Sequence, residues 1–234
     1  TGAGKSICYQ IPALIMNGVT LVISPLISLM KDQVDSLKEN GISATYINST
    51  QSMEEIKDIL KDASLGLYKL IYIAPERLES KVFVQMIRNL HISQVAVDEA
   101  HCVSEWGHDF RVSYRYIKPF VDLLPNRPVI SAFTGTATDE VKEDSMNLLG
   151  LRNPIKYVGD INRENLSINI FKEEDKLEGI KDIIREHEDE SGIIYCLSRK
   201  EVENLYTYLR EYGYNVSMYH GGLEDYDKEK AQDD

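Results

Sequence analysis

A short apolar run, Val95-Ala96-Val97, stops at Asp98-Glu99-Ala100-His101, and far upstream the chain opens with Thr1-Gly2-Ala3-Gly4-Lys5-Ser6. A chain carrying both has few ways to fold. A Gly-Lys-Ser that holds an anion must sit on the N-terminus of a helix. There the backbone N–H groups converge, and missing Cβ atoms allow close approach. Two carboxylates directly after an apolar strand lie at the carboxyl edge of an open α/β sheet, where the ligands of such sheets collect. Gly2 and Gly4 then line a phosphate cradle, Lys5 places a point charge on the outer phosphates, and Ser6 offers a hydroxyl to Mg²⁺. Asp98 can hold the same ion through water, and Glu99 can orient and polarise an attacking water. Either run alone is common as a surface turn or a solvated strand end. The two together, in this order, read as a site that hydrolyses a nucleoside triphosphate.

The rest of the chain has the alternation such a sheet needs. Short, β-branched apolar runs at Thr20–Ser24, Ala44–Ile47, Leu70–Ile73, Val95–Val97 and Val129–Thr134 predict strands. Helix-like stretches at Pro25–Asn40, Ser52–Ala63, Val82–Asn89, Val112–Leu124 and Asp139–Leu148 separate them. A first helix is expected from the Lys5-Ser6 region to about Asn17-Gly18, kinked or shortened at Pro12. Asp139 is a candidate N-cap and Gly41 a helix stop. This pattern predicts a parallel sheet with helices on both faces. Residues 1–150 form the expected first lobe. Residues 151–165, with Pro154 and Gly159, form the connection. A second alternation fills 166–234, with strands at Leu166–Phe171, Gly192–Cys196 and Asn215–Tyr219 and helices at Asp175–Glu188 and Lys200–Tyr212. The acidic run Glu186–Glu190 reads as a solvated helix end.

These residues resemble a known family. Asp98–His101 is similar to the DEAH form of the Walker B motif of superfamily 2 helicases. Cys102-Val103-Ser104-Glu105-Trp106-Gly107-His108-Asp109-Phe110-Arg111 closely resembles the aromatic-rich loop of RecQ-type DNA helicases. Val22–Val34 looks like motif Ia, Tyr72–Leu78 like the family's Pro-Glu-Arg-Leu segment, Ala132–Thr138 like motif III, and Ile194–Arg199, followed by Tyr219–Leu223, like motif IV and its sequel. Glu105 departs from the family, which usually has Gln there. The resemblance implies two RecA-like lobes and a motor that couples hydrolysis of ATP with Mg²⁺ to 3′-to-5′ movement on single-stranded and partly duplex DNA, in repair and recombination. It implies catalytic roles for Lys5, Asp98 and Glu99, and makes His101 a coupling residue. Thr134, Thr136 and Thr138 would transmit nucleotide state. Trp106, Phe110, Arg111, Ser198, Arg199 and His220 would meet or sense DNA. A cytoplasmic, nucleoid-associated bacterial protein is the implied setting.

Each assignment has a plainer alternative in the residues themselves. Trp106, the only tryptophan, reads as a core anchor or, in its polar loop, as a stacking platform for a base. Ser198 reads as an N-cap and Arg199 as a surface cation. The hydroxyls at Thr134, Thr136 and Thr138 read as strand-end and cap groups. Cys8, Cys102 and Cys196 are widely spaced without a Cys-x-x-Cys, so neither a zinc site nor a disulfide framework is expected. No apolar run has the length of a membrane span.

Charge bears on the DNA reading. Lys+Arg number 26 and Asp+Glu 38, a net charge of −12. Residues 1–158 hold 16 basic and 18 acidic side chains, net −2, and residues 159–234 hold 10 and 20, net −10. A single-strand motor needs a local groove of donors and stacking faces rather than a basic whole. Strong duplex binding by this chain alone is not expected.

A Gly-x-x-x-x-Gly-Lys-Ser loop would begin two residues before Thr1, and the strand that aims it would be expected before that. The family's second lobe would also continue past Asp234 to an arginine finger. The chain therefore reads as a helicase-core segment truncated at both ends. Alone it is expected to be inactive, with its first lobe the better ordered. Two other functions fit the same motifs: an RNA-directed superfamily 2 motor, and a nucleotide-gated binding module without turnover.

Overall fold

In the computed structural model, the described residues are 4–159, 165–172, 175–224, 227 and 231. The chain divides into two compact units, Thr1–Val158 and Gly159–Asp234.

The first unit is a five-stranded parallel sheet in the order β2-β3-β1-β4-β5. Its strands are β1 (Val19–Ile23), β2 (Ala44–Ile47), β3 (Leu70–Ile73), β4 (Ile92–Val97) and β5 (Val129–Ala132). Alternate side chains of the central strands go to opposite faces. Leu21, Ile23, Ile71, Ile73, Val95 and Val97 join one apolar cluster. Val22, Leu70, Tyr72 and Ala96 join the other. Helices α3 (Met53–Ser64), α4 (Lys81–Ile87) and α5 (Ile117–Asp122) cover the first face through Ile56, Leu60, Phe83, Ile87, Ile117 and Phe120. Helices α1 (Lys5–Ile15) and α2 (Ile27–Glu39) cover the second through Tyr9, Ala13, Met30, Val34 and Leu37. Burying each such side chain contributes about 1.5–3 kcal/mol. The strands covered on both faces are therefore the continuous apolar runs of the sequence.

The connection after β1 runs to one side of the sheet, and the one after β4 runs to the other. The crevice between their carboxyl ends is the switch point of the fold. The backbone N–H of Asp98 donates to the carbonyl of Ile23 there, at 2.9 Å, and ties the two strand ends together.

Local differences from the expected elements have local causes. The stretch expected to be one helix over 112–124 is a 3₁₀ segment, Val112–Tyr116, followed by α5. Pro119 explains the break. In a helix begun at Val112 it would remove an interior hydrogen bond, whereas in α5 it stands in the first turn, where no partner is needed. Helix α6 (Asp139–Leu148) is capped by Thr138, whose Oγ1 accepts from the Val141 N–H at 3.3 Å, and not by Asp139. Helix α1 runs through Pro12 and ends at Ile15. Helix α2 stops as expected, with Gly41 at φ 73° just past its C-cap.

The second unit contains α7 (Lys176–Glu186) and α8 (Arg199–Glu211). Asp175 caps α7 through the N–H groups of Leu177 and Glu178. Ser198 and Glu201 form a reciprocal capping box on α8. Lys181 of α7 is buried, pairs with Glu178, and lies 4.3 Å from the centroid of the Tyr212 ring beyond α8. The strands expected at 166–171, 192–196 and 215–219 are not formed among the described residues. A capped helix closes its hydrogen bonds within its own segment, but a strand forms only against a neighbour.

Candidate active site

Left-handed backbone at two positions shapes the carboxyl edge of the sheet. Gly4, the N-cap of α1, has φ 70°, and a Cβ added there would meet nothing within 4 Å. Among the described residues no side chain caps α1, so the N–H groups of Lys5 and Ser6 lack a side-chain partner, while that of Ile7 donates to the Gly4 carbonyl at 3.1 Å. Glu99 has φ 44° and ψ 49°, a conformation that costs a non-glycine residue about 1–3 kcal/mol. This turn, directly after Asp98, reverses the chain so that the Ala100 N–H donates to the Phe133 carbonyl at 2.8 Å.

The result joins residues far apart in sequence. Lys5 Nζ lies 3.3 Å from Glu99 Oε1, across 94 positions. Glu99 Oε2 lies 3.3 Å from His101 Nδ1, which is also 2.8 Å from Thr134 Oγ1. Two acceptors around one nitrogen favour the tautomer with its proton on Nδ1. Burial lowers the His101 pKa, which favours the neutral ring. Thr134 Oγ1 also accepts from the Thr136 N–H at 3.3 Å and lies 3.2 Å from the Thr136 carbonyl, while the Thr136 side chain is exposed. The His101 imidazole stacks on His108, with centroids 4.3 Å apart.

Asp98 is 9% exposed, and burial, then the neighbouring charge of Glu99, raises its pKa. Its Oδ1 accepts from the Glu99 N–H at 3.0 Å, and its backbone carbonyl accepts from the buried Tyr114 hydroxyl at 2.9 Å. Beneath α1, Tyr9 packs edge-on against Phe133 and Tyr72, at 5.4 and 6.4 Å. Cys102 is a packing residue, because burial pushes its thiol up to about 12, away from thiolate chemistry.

The loop after His101 is held from inside. Gly107 cannot carry a side chain without strain, since a Cβ would lie 2.4 Å from the His101 carbonyl oxygen. Trp106 donates its N–H to Ser104 Oγ at 3.2 Å, and the residue is 71% exposed. Phe110 is half-buried, with the Arg115 guanidinium 5.3 Å from its ring centroid. Arg111 is held at three nitrogens: Nε and Nη2 donate to Asp109 Oδ2 at 3.2 and 3.1 Å, and Nη1 donates to the Pro25 carbonyl at 3.2 Å.

In the second unit, Ser198 is occupied in capping α8, and Arg199 lies over the Gly221-Gly222 turn, where a Cβ on Gly222 would come within 3.0 Å of its Nη1. His220 Nδ1 accepts from the Gly222 N–H at 3.1 Å, and its Nε2 lies 3.4 Å from Glu203. Gly2 lies outside the described residues. Sequence reasoning missed His108, Tyr114 and Arg115. His108 lay in the quoted loop without a partner to suggest a stack. Tyr114 and Arg115 had no signal beyond their closeness to that loop.

Residues 1–144 match the family model described as DEAD/DEAH box helicase. The chain belongs to the DEAD/DEAH box helicase family. Over 233 residues it is 48% identical to the ATP-dependent DNA helicase RecQ of Bacillus subtilis, covering 100% of this chain and 39% of that protein. It is 42% identical over 234 residues to the protein of the same name from Haemophilus influenzae, covering 100% and 38%. The chain thus spans about two fifths of the length of these curated relatives. Among solved structures it is similar to the DUF1998 helicase MrfA bound to DNA, with TM-score 0.72 at 16% identity over 98% of this chain and 36% of that one. A second is the Mycobacterium smegmatis helicase Lhr, with TM-score 0.65 at 15% identity over 99% and 35%. At such identities the likeness is one of fold. No helix among the described residues is long and apolar enough to cross a membrane.

In this helicase-family site, the raised pKa of Asp98 has a consequence for stability. Its folded value lies above the unfolded 3.8, so the fold disfavours the ionised carboxylate at neutral pH, and the penalty disappears as pH falls through the folded value. Asp98→Asn keeps the Oδ1 acceptor and removes the charge. It is expected to raise the melting temperature of the ligand-free protein, by roughly 2–4 °C for each kcal/mol relieved. The gap to wild type should close as pH is lowered toward 4. A variant that melts below wild type at pH 7 would contradict this account of Asp98.

Proposed function

We propose that this chain is the nucleotide-hydrolysing part of a RecQ-type DNA helicase, which uses ATP and Mg²⁺ to move 3′-to-5′ along single-stranded DNA and separate duplexes in repair and recombination. The observation that carries the reading is the meeting of Lys5 with Glu99 beside Asp98 at the switch point of the sheet. The identity to RecQ helicases across the whole chain supports the choice of nucleic acid.

The residues present fit the implied cofactor. The N-terminus of α1, with Gly4 left-handed and no side-chain cap among the described residues, suits a phosphate. A hydroxyl at Ser6 and a buried carboxylate at Asp98 are hard oxygen donors, the set Mg²⁺ prefers. When bound, Mg²⁺–ATP supplies the reactive phosphoryl group and the cation that offsets charge on its oxygens. The chain does the rest. Gly2, Gly4 and Lys5 bind the phosphates. Ser6 and Asp98 hold the metal ion. Glu99 orients water and accepts its proton at a carboxylate oxygen. Lys5 exchanges Glu99 for phosphate as the nucleotide enters. His101, donating from Nδ1 to Thr134, links the Glu99 carboxylate to the Thr134–Thr136 turn and positions both.

The loop at 104–111 is proposed to meet single-stranded DNA. Trp106 offers an exposed stacking face, Phe110 supports it, and Arg111 braces the loop against Pro25 rather than reaching outward. Ser198, Arg199 and His220 mark a further DNA contact in the second unit, with Ser198 acting through the α8 N-terminus that it caps. The division into a first lobe at 1–150, a connection at 151–165 and the start of a second lobe from 166 belongs to the same proposal, as does a cytoplasmic setting.

Strand separation by the intact protein tests this. With ATP and Mg²⁺, duplex DNA bearing a 3′ single-stranded tail is expected to be unwound, and the same duplex with a 5′ tail is not. Unwinding of RNA duplexes with no action on DNA would favour the RNA-directed motor. Nucleotide-dependent binding without turnover would favour the gated module.

A further inference from the structure

We propose that Arg115 is a contact for a nucleic-acid backbone phosphate and that Glu105 is its built-in competitor, so that the loop engages DNA by exchanging an internal carboxylate for a phosphate. The inference rests on the nucleic-acid reading above and adds to it a binding residue and a residue that tunes affinity.

Glu105 Oε1 accepts from Arg115 Nη2 at 2.8 Å, ten residues apart. Both side chains face solvent, 63% and 46% exposed. The Arg115 guanidinium also lies over the Phe110 ring, and Glu105 is the immediate neighbour of the exposed Trp106. A planar, permanently charged fork beside aromatic faces suits a phosphate and the base attached to it. The carboxylate that now fills the fork carries the same sign of charge and similar acceptor oxygens.

The two arginines of this region differ in what holds them. Arg111 is satisfied on three nitrogens, one by the Pro25 carbonyl, which cannot leave without moving the chain. Among the described residues Arg115 has one exposed carboxylate as its hydrogen-bonding partner. Such surface pairs contribute about 0–1 kcal/mol. A polyanion that releases counterions as it binds can displace a partner held this weakly. Arg115 is therefore the exchangeable cation here, and Glu105 sets how readily it exchanges. The competition also fits a chain of net charge −12, in which single-strand affinity depends on a few local cations.

The test is fluorescence anisotropy of a labelled thymidine oligonucleotide with the intact protein, without nucleotide, across a salt series. Wild type is compared with Glu105→Gln, Arg115→Gln, the double variant, and Arg115→Lys in both Glu105 backgrounds. Glu105→Gln is expected to tighten binding by up to about fivefold, the ceiling for an exposed pair. It should also steepen the slope of log affinity against log salt by about 0.7, one phosphate's worth on a single strand. Both gains should vanish with Gln at position 115 and survive in part with Lys. No tightening, or the same tightening with Gln at position 115, would overturn the proposal and leave Glu105 as a distant charge. Salt-dependent binding by wild type keeps the nucleic-acid reading whatever Glu105 does. Its absence would end that reading and this inference with it.

Discussion

Glu99→Gln in the intact protein is expected to slow ATP turnover by about 10²–10³-fold, the range for losing one preorganised electrostatic group at a reacting centre. The substitution keeps the length of the side chain and removes the charge that faces Lys5 Nζ and His101 Nδ1, both at 3.3 Å. A neutral amide cannot accept a proton from the attacking water. ATP should still bind, because Lys5, Ser6 and the open first turn of α1 are untouched. Lys5→Ala should cost a similar factor and also weaken nucleotide binding. Turnover rates at saturating ATP and single-stranded DNA check both. Near-normal rates in the two variants would remove the roles assigned here.

The second large effect is expected at the loop. Trp106→Ala should leave ATP affinity and basal hydrolysis near wild type while abolishing most of the stimulation by single-stranded DNA. Stacking of one base on an aromatic ring is worth about 1–3 kcal/mol, so affinity for a short strand should fall roughly 5- to 150-fold. Trp106 can be lost without structural collapse because it is exposed and buries little. Arg111→Ala should reach a similar loss of stimulation by another route, by freeing the loop from the Pro25 carbonyl and Asp109. The decisive readout is the ratio of hydrolysis rates with and without DNA, beside nucleotide affinity. A Trp106 variant that lost nucleotide binding yet kept a normal stimulation ratio would place the side chain on the nucleotide.

Much of the first unit was legible because its central strands are covered on both faces. Leu70–Ile73 appears at the bounds its apolar run suggests, since it is buried along its whole length and no solvent-facing alternation blurs it. The helix over 112–124 was less legible, because apolar spacing alone does not reveal that Pro119 must stand in a first turn. The strands of the second unit illustrate a different limit. Ser198 and Glu201, three positions apart, announce a helix start, whereas the run at 192–196 announces a strand only if a partner lies beside it.

The site divides along the same line. Residue types and order were enough to nominate Lys5, Asp98 and Glu99. The left-handed turn at Glu99 was not legible, because a glutamate carries no mark of φ 44°, and that turn sets where its carboxylate stands. Nor did the loop's polarity show what holds each arginine. Arg111, expected to meet or sense DNA, is bonded to Asp109 and Pro25, while Arg115 lies beside Phe110 with one exposed partner among the described residues. Long-range partners decide such orientations, and a local pattern does not contain them.

The central claim is that Lys5 and Glu99, 94 positions apart, act as one unit on one phosphoryl group. A double-mutant cycle measures this directly, with single-turnover ATP hydrolysis by wild type, Lys5→Ala, Glu99→Gln and the double variant, all at saturating nucleotide and DNA. Groups that act as a unit lose their effect together. The account predicts that the double variant is about as slow as the slower single variant. A double variant slowed by the full product of the two separate losses would show two independent contributions and contradict the account.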